Sequence, residues 1–305
     1  MQQLRWSTLF ETIDPLIKAI PNLKDYSLQA KDKLHNAELE GGDSVRGITD
    51  LLHGIPIGHP LHPILTDIPI GAWTFSVLYD VLSMLMPFNR KYKQTADELT
   101  ALGVISAIPT AIAGLADYST IKEEASDYGL LHGILNLSGL LLYVLSWRAR
   151  RRDHRLTGIG YAMLGMTVLT ASAWLGGEMV YRLRVGANHS PDPETPEKWT
   201  AVLPSSELVE GQPQAVDVDG QRALLYRDGD GVYAISAVCA HAGGPLDEGK
   251  FYNGCVECPW HNSVYDLKTG QVVHGPSVYP QPRYEVRVTN GQIRLRAPQE
   301  ESPEN

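Results

Sequence analysis

Four apolar stretches dominate the first half of the chain, at residues 68–86, 99–116, 130–147 and 158–177. The last three contain no Asp, Glu, Lys or Arg, and the first carries only Asp80. As helices they would each be about 27–30 Å long, which matches the hydrocarbon core of a bilayer. Four such runs joined by short polar loops are hard to bury in a water-soluble core. The sequence therefore predicts an all-α four-helix transmembrane bundle over 56–184. Small residues recur inside the runs, at Gly103, Ala107, Ala111 and Gly114 and again at Gly160, Gly165 and Ala171. Such positions let helix backbones approach closely in lipid.

Outside this region the chain reads as soluble. The N-terminal segment, 1–55, is expected to be partly helical. It has no signal-peptide core, because Asp14, Lys18, Lys24 and Asp25 interrupt it. A net charge of −9 and a pI near 5.6 argue against a nucleic-acid binder, which would present a basic face.

Loop charge gives an orientation. Arg90, Lys91 and Lys93 follow the first run, and Arg148, Arg150, Arg151, Arg152 and Arg155 follow the third. The loop after the second run has Lys122 against Asp117, Glu123, Glu124 and Asp127. Placing the two basic loops in the cytoplasm puts both termini on the outer face. Arg151–Arg152, just before a mildly apolar last run, also resembles a twin-arginine export signal, beside the simpler reading of charge anchoring.

Polar residues gather at the outer ends of the runs: His59, His62, Asp67, Asp117, His132 and Glu178. Ionisable groups at membrane depth are costly and often functional. One expectation is that His62 and His132 ligate a b-type haem or bind a quinone head group; the other is that they cap helices and meet water. The Pro-rich stretch 58–63 is expected to form a rigid turn. The stretch 58–80 (GHPLHPILTDIPIGAWTFSVLYD) and the four-run pattern resemble an uncharacterised bacterial inner-membrane family, over about residues 50–180. That resemblance implies a multi-pass location in the bacterial inner (plasma) membrane.

Residues 185–198 carry Pro191, Pro193 and Pro196 among acidic residues, which suggests an extended, semi-rigid tether. From Trp199 the pattern becomes short alternating strands. Residues 223–227 and 231–236 flank Asp228-Gly229-Asp230, and 284–289 and 292–296 flank Asn290-Gly291, both hairpin signals. An all-β domain, a small antiparallel barrel or sandwich, is expected over 199–297, followed by an acidic, disordered tail at 298–305.

The chemistry lies in Cys239-Ala240-His241 and Cys258-Pro259-Trp260-His261. The three cysteines of the chain, including Cys255, fall within this short region, which points to a metal or redox site instead of a disulfide framework. Two thiolates and two imidazoles suit tetrahedral zinc. They also suit a [2Fe–2S] core, in which two bridging sulfides leave each iron two protein ligands. Cys255 stands outside the pattern and reads as a small buried residue.

Over about 198–297 the sequence resembles the Rieske family, in these two motifs and in Gly243, Gly244, Pro245, Leu246, Ser263, Tyr265, Asp266 and Gly275-Pro276. The resemblance implies that Cys239 and Cys258 bind one iron of a [2Fe–2S] cluster and His241 and His261 the other. It also implies that the Gly275-Pro276 loop covers the cluster. The extra disulfide of cytochrome bc-type members is absent, since Gly244 and Trp260 stand at its positions. Trp260 resembles the ferredoxin and oxygenase branch, whereas Ser263 and Tyr265 match hydroxyls that donate to cluster sulfurs in the bc branch. A potential between those branches follows, inside the Rieske range of about −150 to +300 mV.

The expected function is membrane-anchored single-electron transfer between redox proteins or quinone, making the chain a component of an oxidoreductase. The alternatives are a quinol- or haem-linked membrane oxidoreductase with the cluster as acceptor, or a donor to a separate oxygenase. An oxygenase within this chain would need a mononuclear iron bound by two histidines and a carboxylate. His274 is the sole histidine after His261, which excludes that site in a downstream domain of this chain.

Overall fold

The computed structural model describes residues 7–298 apart from 191, 194 and 230, with side chains from residue 13 onward. The expected acidic tail lies, beyond Pro298, outside the described residues. The chain forms two compact units, Met1–Gly42 with Leu61–Val185, and Asp43–Pro60 with Gly186–Asn305.

In the first unit, α1 (Ser7–Lys18) and α2 (Leu23–Glu40) precede four long helices. These are α4 (Leu61–Leu85), α5 (Arg90–Ser119), α6 (Ser126–Arg151) and α7 (Arg155–Tyr181). All four are long and apolar enough to cross a membrane. Helix α4 starts at Leu61, so Pro63 is helical and the expected rigid turn is confined to the residues before it. Proline is tolerated in a first turn, where no intrahelical partner for its missing N–H exists. Helix α4 packs on α5 and α6 on α7, and the square closes through α5 on α6 and α4 on α7. Ile17 and Leu23, from α1 and the start of α2, join Tyr128 and Leu175 in one apolar cluster. Ser27 Oγ meets Ser126 Oγ at 2.9 Å, and Tyr118 Oη donates to Ser27 O at 2.8 Å.

The two hairpins of the bundle are copies of one arrangement. In the first, His62 Nδ1 donates to Thr110 O at 2.9 Å and its ring covers Gly114; in the second, His132 Nδ1 donates to Ser172 O at 2.8 Å and its ring covers Gly176. Ser76 Oγ donates to Ala96 O at 2.9 Å, and Ser146 Oγ to Gly158 O at 2.7 Å. The Trp73 ring lies on Gly103 and the Tyr143 ring on Gly165, so close that a Cβ would stand 2.2 Å from Trp73 Nε1 and 3.0 Å from Tyr143 Cδ2. Helices α4 and α6 therefore correspond, as do α5 and α7, in a parallel repeat of the kind found in other membrane folds.

Corresponding residues also meet each other. Trp73 stacks on Tyr143 with centroids 4.3 Å apart. Asp80 pairs with Arg150, and both side chains are almost fully buried. Arg150 also reaches Asp97 at 2.9 Å, and Arg155 bridges Asp97 and Asp80 at 2.9 Å each. Removing Asp80 strands a buried guanidinium, whereas Asp97 is more than a third exposed. Asp80→Ala should cost about 3–5 kcal/mol of stability and Asp97→Ala about 1 kcal/mol or less. Thermal unfolding of both variants in detergent checks this; equal losses would remove the special status of Asp80.

Among the described residues, the second unit contains α3 (Gly42–His53), from Asp43 onward, and ten strands in three open antiparallel sheets, not a closed barrel. The first sheet orders β1 (Thr200–Pro204), β10 (Gln292–Arg296) and β9 (Glu285–Thr289). The second is β2 (Gln214–Val218), β3 (Gln221–Asp228) and β4 (Gly231–Ser236). The third is β5 (Lys250–Tyr252), β6 (Cys255–Glu257), β7 (Val264–Asp266) and β8 (Val272–His274). The β9–β10 turn uses Asn290 and Gly291 at φ +52° and +72°, as a two-residue hairpin with Asn-Gly requires.

The second sheet is apolar on both faces because its strands alternate. Ala223, Leu225 and Ala234 enter one core with Leu203, Ile293 and Leu295 from the first sheet. Leu224 and Ile235 enter the other, with Val256, Tyr265, Leu246, Cys239 and Cys258. The segment expected to be a tether is partly docked on this unit. His189 N–H donates to Ala240 O at 2.9 Å, Tyr279 Oη donates to Gly186 O at 3.1 Å, and Ser190 is buried against Ser236 at 2.8 Å. Polar groups that proline-rich composition suggests are solvated thus find partners inside the fold.

Candidate metal centre

The two expected ligand loops close in the same way. The first connects β4 to β5, and the second β6 to β7. Cys239 N–H donates to Gly244 O and Gly243 N–H to Cys239 O, both at 2.8 Å. Cys258 N–H donates to Ser263 O at 2.8 Å and Asn262 N–H to Cys258 O at 3.1 Å. Gly243 and Asn262 occupy equivalent places with φ +83° and +61°. Glycine adopts this left-handed conformation freely, and asparagine more readily than most other residues.

Each loop buries its cysteine and carries its histidine beyond it. Cys239 and Cys258 are 1% and 2% exposed and sit in one apolar cluster. The rings of His241 and His261 stand edge to face with centroids 5.1 Å apart. The four groups form a thiol pair and an imidazole pair; among the described residues, no three such side chains converge on a single-ion point. Gly244 is needed for this approach, since a Cβ there would lie 3.0 Å from both Cys258 Sγ and the Trp260 ring. Trp260 itself is half exposed.

Tyr265, fully buried, reaches Cys239 Sγ at 3.2 Å. Burial alone would raise the Cys239 thiol, but hydrogen bonds from Cys258, Tyr265 and the N–H groups of His241 and Ala242 outweigh it and bring it down to about 7. Cys258 is held above the ordinary thiol range by its bond to Cys239 and by burial, and Tyr265 is raised by burial and by the neighbouring Cys239 charge. Ser263, also buried, accepts from Ser277 N–H at 3.1 Å, which ties the second loop to the Gly275–Pro276 segment. Pro276 is buried there.

Gln281 is a structural residue of the site that the motifs do not reveal. Its Oε1 accepts from Ala240 N–H at 3.0 Å, and its Nε2 donates to Val238 O at 2.6 Å and Ser236 O at 2.9 Å. Gly270, at φ +71°, makes room for it; a Cβ would stand 2.2 Å from Gln281 O. A buried glutamine has no local sequence signature, so only the fold exposes this role.

His62 and His132 do not join this centre; they lie in the helical unit and hold its hairpins together. His132 uses both ring nitrogens there, Nδ1 on Ser172 O and Nε2 accepting from Asn136 Nδ2 at 2.9 Å. Both nitrogens of His132 are engaged within the helical unit, and the haem or quinone expectation is not supported.

A small β scaffold with two equivalent loops, each placing one thiol and one imidazole, offers a donor set suited to a metal centre of mixed ligation. The comparisons agree. The Rieske [2Fe–2S] domain matches residues 198–285, and the predicted membrane protein domain DUF2231 matches 58–189. The chain is 33% identical over 99 residues to the anthranilate 1,2-dioxygenase ferredoxin subunit of Burkholderia cepacia, covering 32% of this chain and 91% of that one. It is 26% identical over 98 residues to the ferredoxin component of the naphthalene 1,2-dioxygenase system of Pseudomonas putida, covering 32% and 94%. The solved ferredoxin of carbazole 1,9a-dioxygenase from Nocardioides aromaticivorans IC177 shares 38% identity, with 33% of this chain and 99% of that chain covered, at a TM-score of 0.32. The chain belongs to the Rieske [2Fe–2S] family through its C-terminal third, fused to a DUF2231 membrane domain.

Replacing Gln281 by leucine removes partners from one buried and two half-buried backbone groups, and a buried group costs about 1–3 kcal/mol when orphaned. Gln281→Leu should therefore lower the unfolding temperature of the second unit well beyond a typical surface change. Differential scanning calorimetry of the full chain checks this, and an unchanged transition would refute it.

Proposed function

We propose that this chain is a membrane-anchored single-electron carrier in which Cys239 and Cys258 hold one iron of a [2Fe–2S] cluster and His241 and His261 the other. The carrying observation is the pairing: thiols in contact in the buried floor, imidazoles together beyond them, on two loops with one hydrogen-bond pattern. The donor set fits the group, because each iron of such a core needs two protein ligands and thiolate and imidazole occupy opposite ends. When bound, the cluster supplies a one-electron couple. The protein's own residues do the rest. Tyr265 donates to Cys239 Sγ, burial excludes water from the thiolate end, and the imidazole end with Trp260 is the exit for the electron.

The acceptor we favour is a separate oxygenase component, since the relatives above are named as ferredoxins of dioxygenase systems. Anchoring rests on the four apolar helices and the membrane-domain match. Placement of the cluster domain on the outer face rests on loop charge alone. Arg150 and Arg155 are engaged with Asp80 and Asp97, so that reading depends on Arg90, Lys91, Lys93, Arg148, Arg151 and Arg152.

Anaerobically purified chain should contain iron and acid-labile sulfide in equal amounts, and its dithionite-reduced EPR spectrum should show a low average g value. Zinc without sulfide would refute the proposal. Tyr265→Phe should keep the cluster and lower its potential, because a hydrogen bond to sulfur favours the reduced, more negative state. Loss of one such bond corresponds to about tenfold in the electron equilibrium, about 59 mV for a one-electron couple. A redox titration reads it, and a raised or unchanged potential would count against the role of Tyr265.

A further inference from the structure

Helix α3 lies before the membrane helices in sequence yet belongs to the same compact unit as the sheets. Its contacts fall on the second ligand loop and on the loop beside it. Asp50 accepts two hydrogen bonds, one on each oxygen: Gly275 N–H on Oδ1 and His274 Nδ1–H on Oδ2, both at 2.8 Å. Its side chain is 17% exposed. Arg46 Nη2 donates to Asn262 O at 3.3 Å. Just after the helix, Ile55 presses on Gly275, where a Cβ would stand 3.0 Å from Ile55 Cδ1. None of these α3 residues lies inside the stretch that matches the Rieske family, 198–285.

From Asp50 a short path leads to the thiolate end. Gly275 and Pro276 carry Ser277, whose N–H donates to Ser263 Oγ, two residues before Tyr265, and whose hydroxyl donates to Tyr279 O at 2.9 Å. Tyr265 in turn reaches Cys239 Sγ. A loop free to move at Gly275 would take Ser277 with it and loosen the hydroxyl that faces the sulfur.

We propose that Asp50 is a positioning residue: it pins the 274–277 loop and thereby, through the Ser277–Ser263 hydrogen bond, steadies the segment whose Tyr265 bonds Cys239 and sets how readily the cluster accepts an electron. This rests on the reading that Cys239, His241, Cys258 and His261 hold the cluster. The helix before the membrane domain is then a working part of the redox site.

The carboxylate has two separable effects, its charge and its hold on the loop. Asp50→Asn removes the charge and keeps an oxygen for Gly275 N–H; Asp50→Ala removes both. The test compares these two variants in the full chain, with cluster content measured by iron and sulfide analysis. Relative to the Asn variant, the Ala variant should show about tenfold faster amide hydrogen exchange over 272–279, the effect of losing about 1.4 kcal/mol of protection. In a titration against a mediator dye it should shift about threefold toward the oxidised cluster. Identical exchange and identical titration in the two variants would overturn the role of Asp50 while leaving the cluster reading intact. Wild-type chain without iron and sulfide would overturn the cluster reading and the redox half of this one; hydrogen exchange would still decide whether Asp50 holds the loop.

Discussion

The second unit is organised around two buried thiols. Cys239 and Cys258 are members of the apolar core that also contains Leu224, Ile235 and Val256. A buried anion is costly unless hydrogen bonds surround it. The unit meets that constraint by giving both cysteines the same loop, whose own backbone satisfies its polar groups. Tyr265 and backbone N–H groups are then aimed at one sulfur. The sheet that buries residues on both faces is the support for this. It lets one strand pair, β3 and β4, build the core below and the floor of the site above. The loops therefore inherit the rigidity of the core, which places the histidines beyond them.

What the sequence disclosed was local. The Cys-x-His and Cys-x-x-His spacings, the Asn290-Gly291 turn and the four apolar runs each carry their meaning within a few residues or a single helix. What it concealed depends on partners distant in the chain. Nothing near Asp50 marks it as the acceptor for Gly275, and nothing near Gln281 marks it as the brace for Ala240. The proline-rich linker looked like a tether because composition reports solvation propensity, while Ser190 and His189 find their partners only once the first ligand loop exists. The start of α4 was concealed for a related reason. Proline opposes helix interiors, and only position within the helix tells whether Pro63 is harmful.

The repeat in the helical unit was hidden because the residues it keeps, such as His62 with His132 and Ser76 with Ser146, are sparse, while others differ in identity and agree in job. Thr110 and Ser172 each present a carbonyl to a histidine, and Ala96 and Gly158 each present one to a serine. Trp73 and Tyr143 each roof a glycine. Equivalence of this kind is visible in hydrogen bonds and contacts, not in letters.

The same symmetry explains why the copies had to diverge. Positions that correspond and also touch must lie near the axis relating the two hairpins. Two identical ionisable groups there would face each other in a dry interior, where like charges repel strongly. Asp80 opposite Arg150 turns that repulsion into an ion pair, and Asp97 with Arg155 completes its neutralisation. The aromatic pair tolerates near-identity because stacked rings attract. The two histidines avoid the problem differently, each turned onto the partner helix of its own hairpin. In each, Nδ1 is spent on joining two helices.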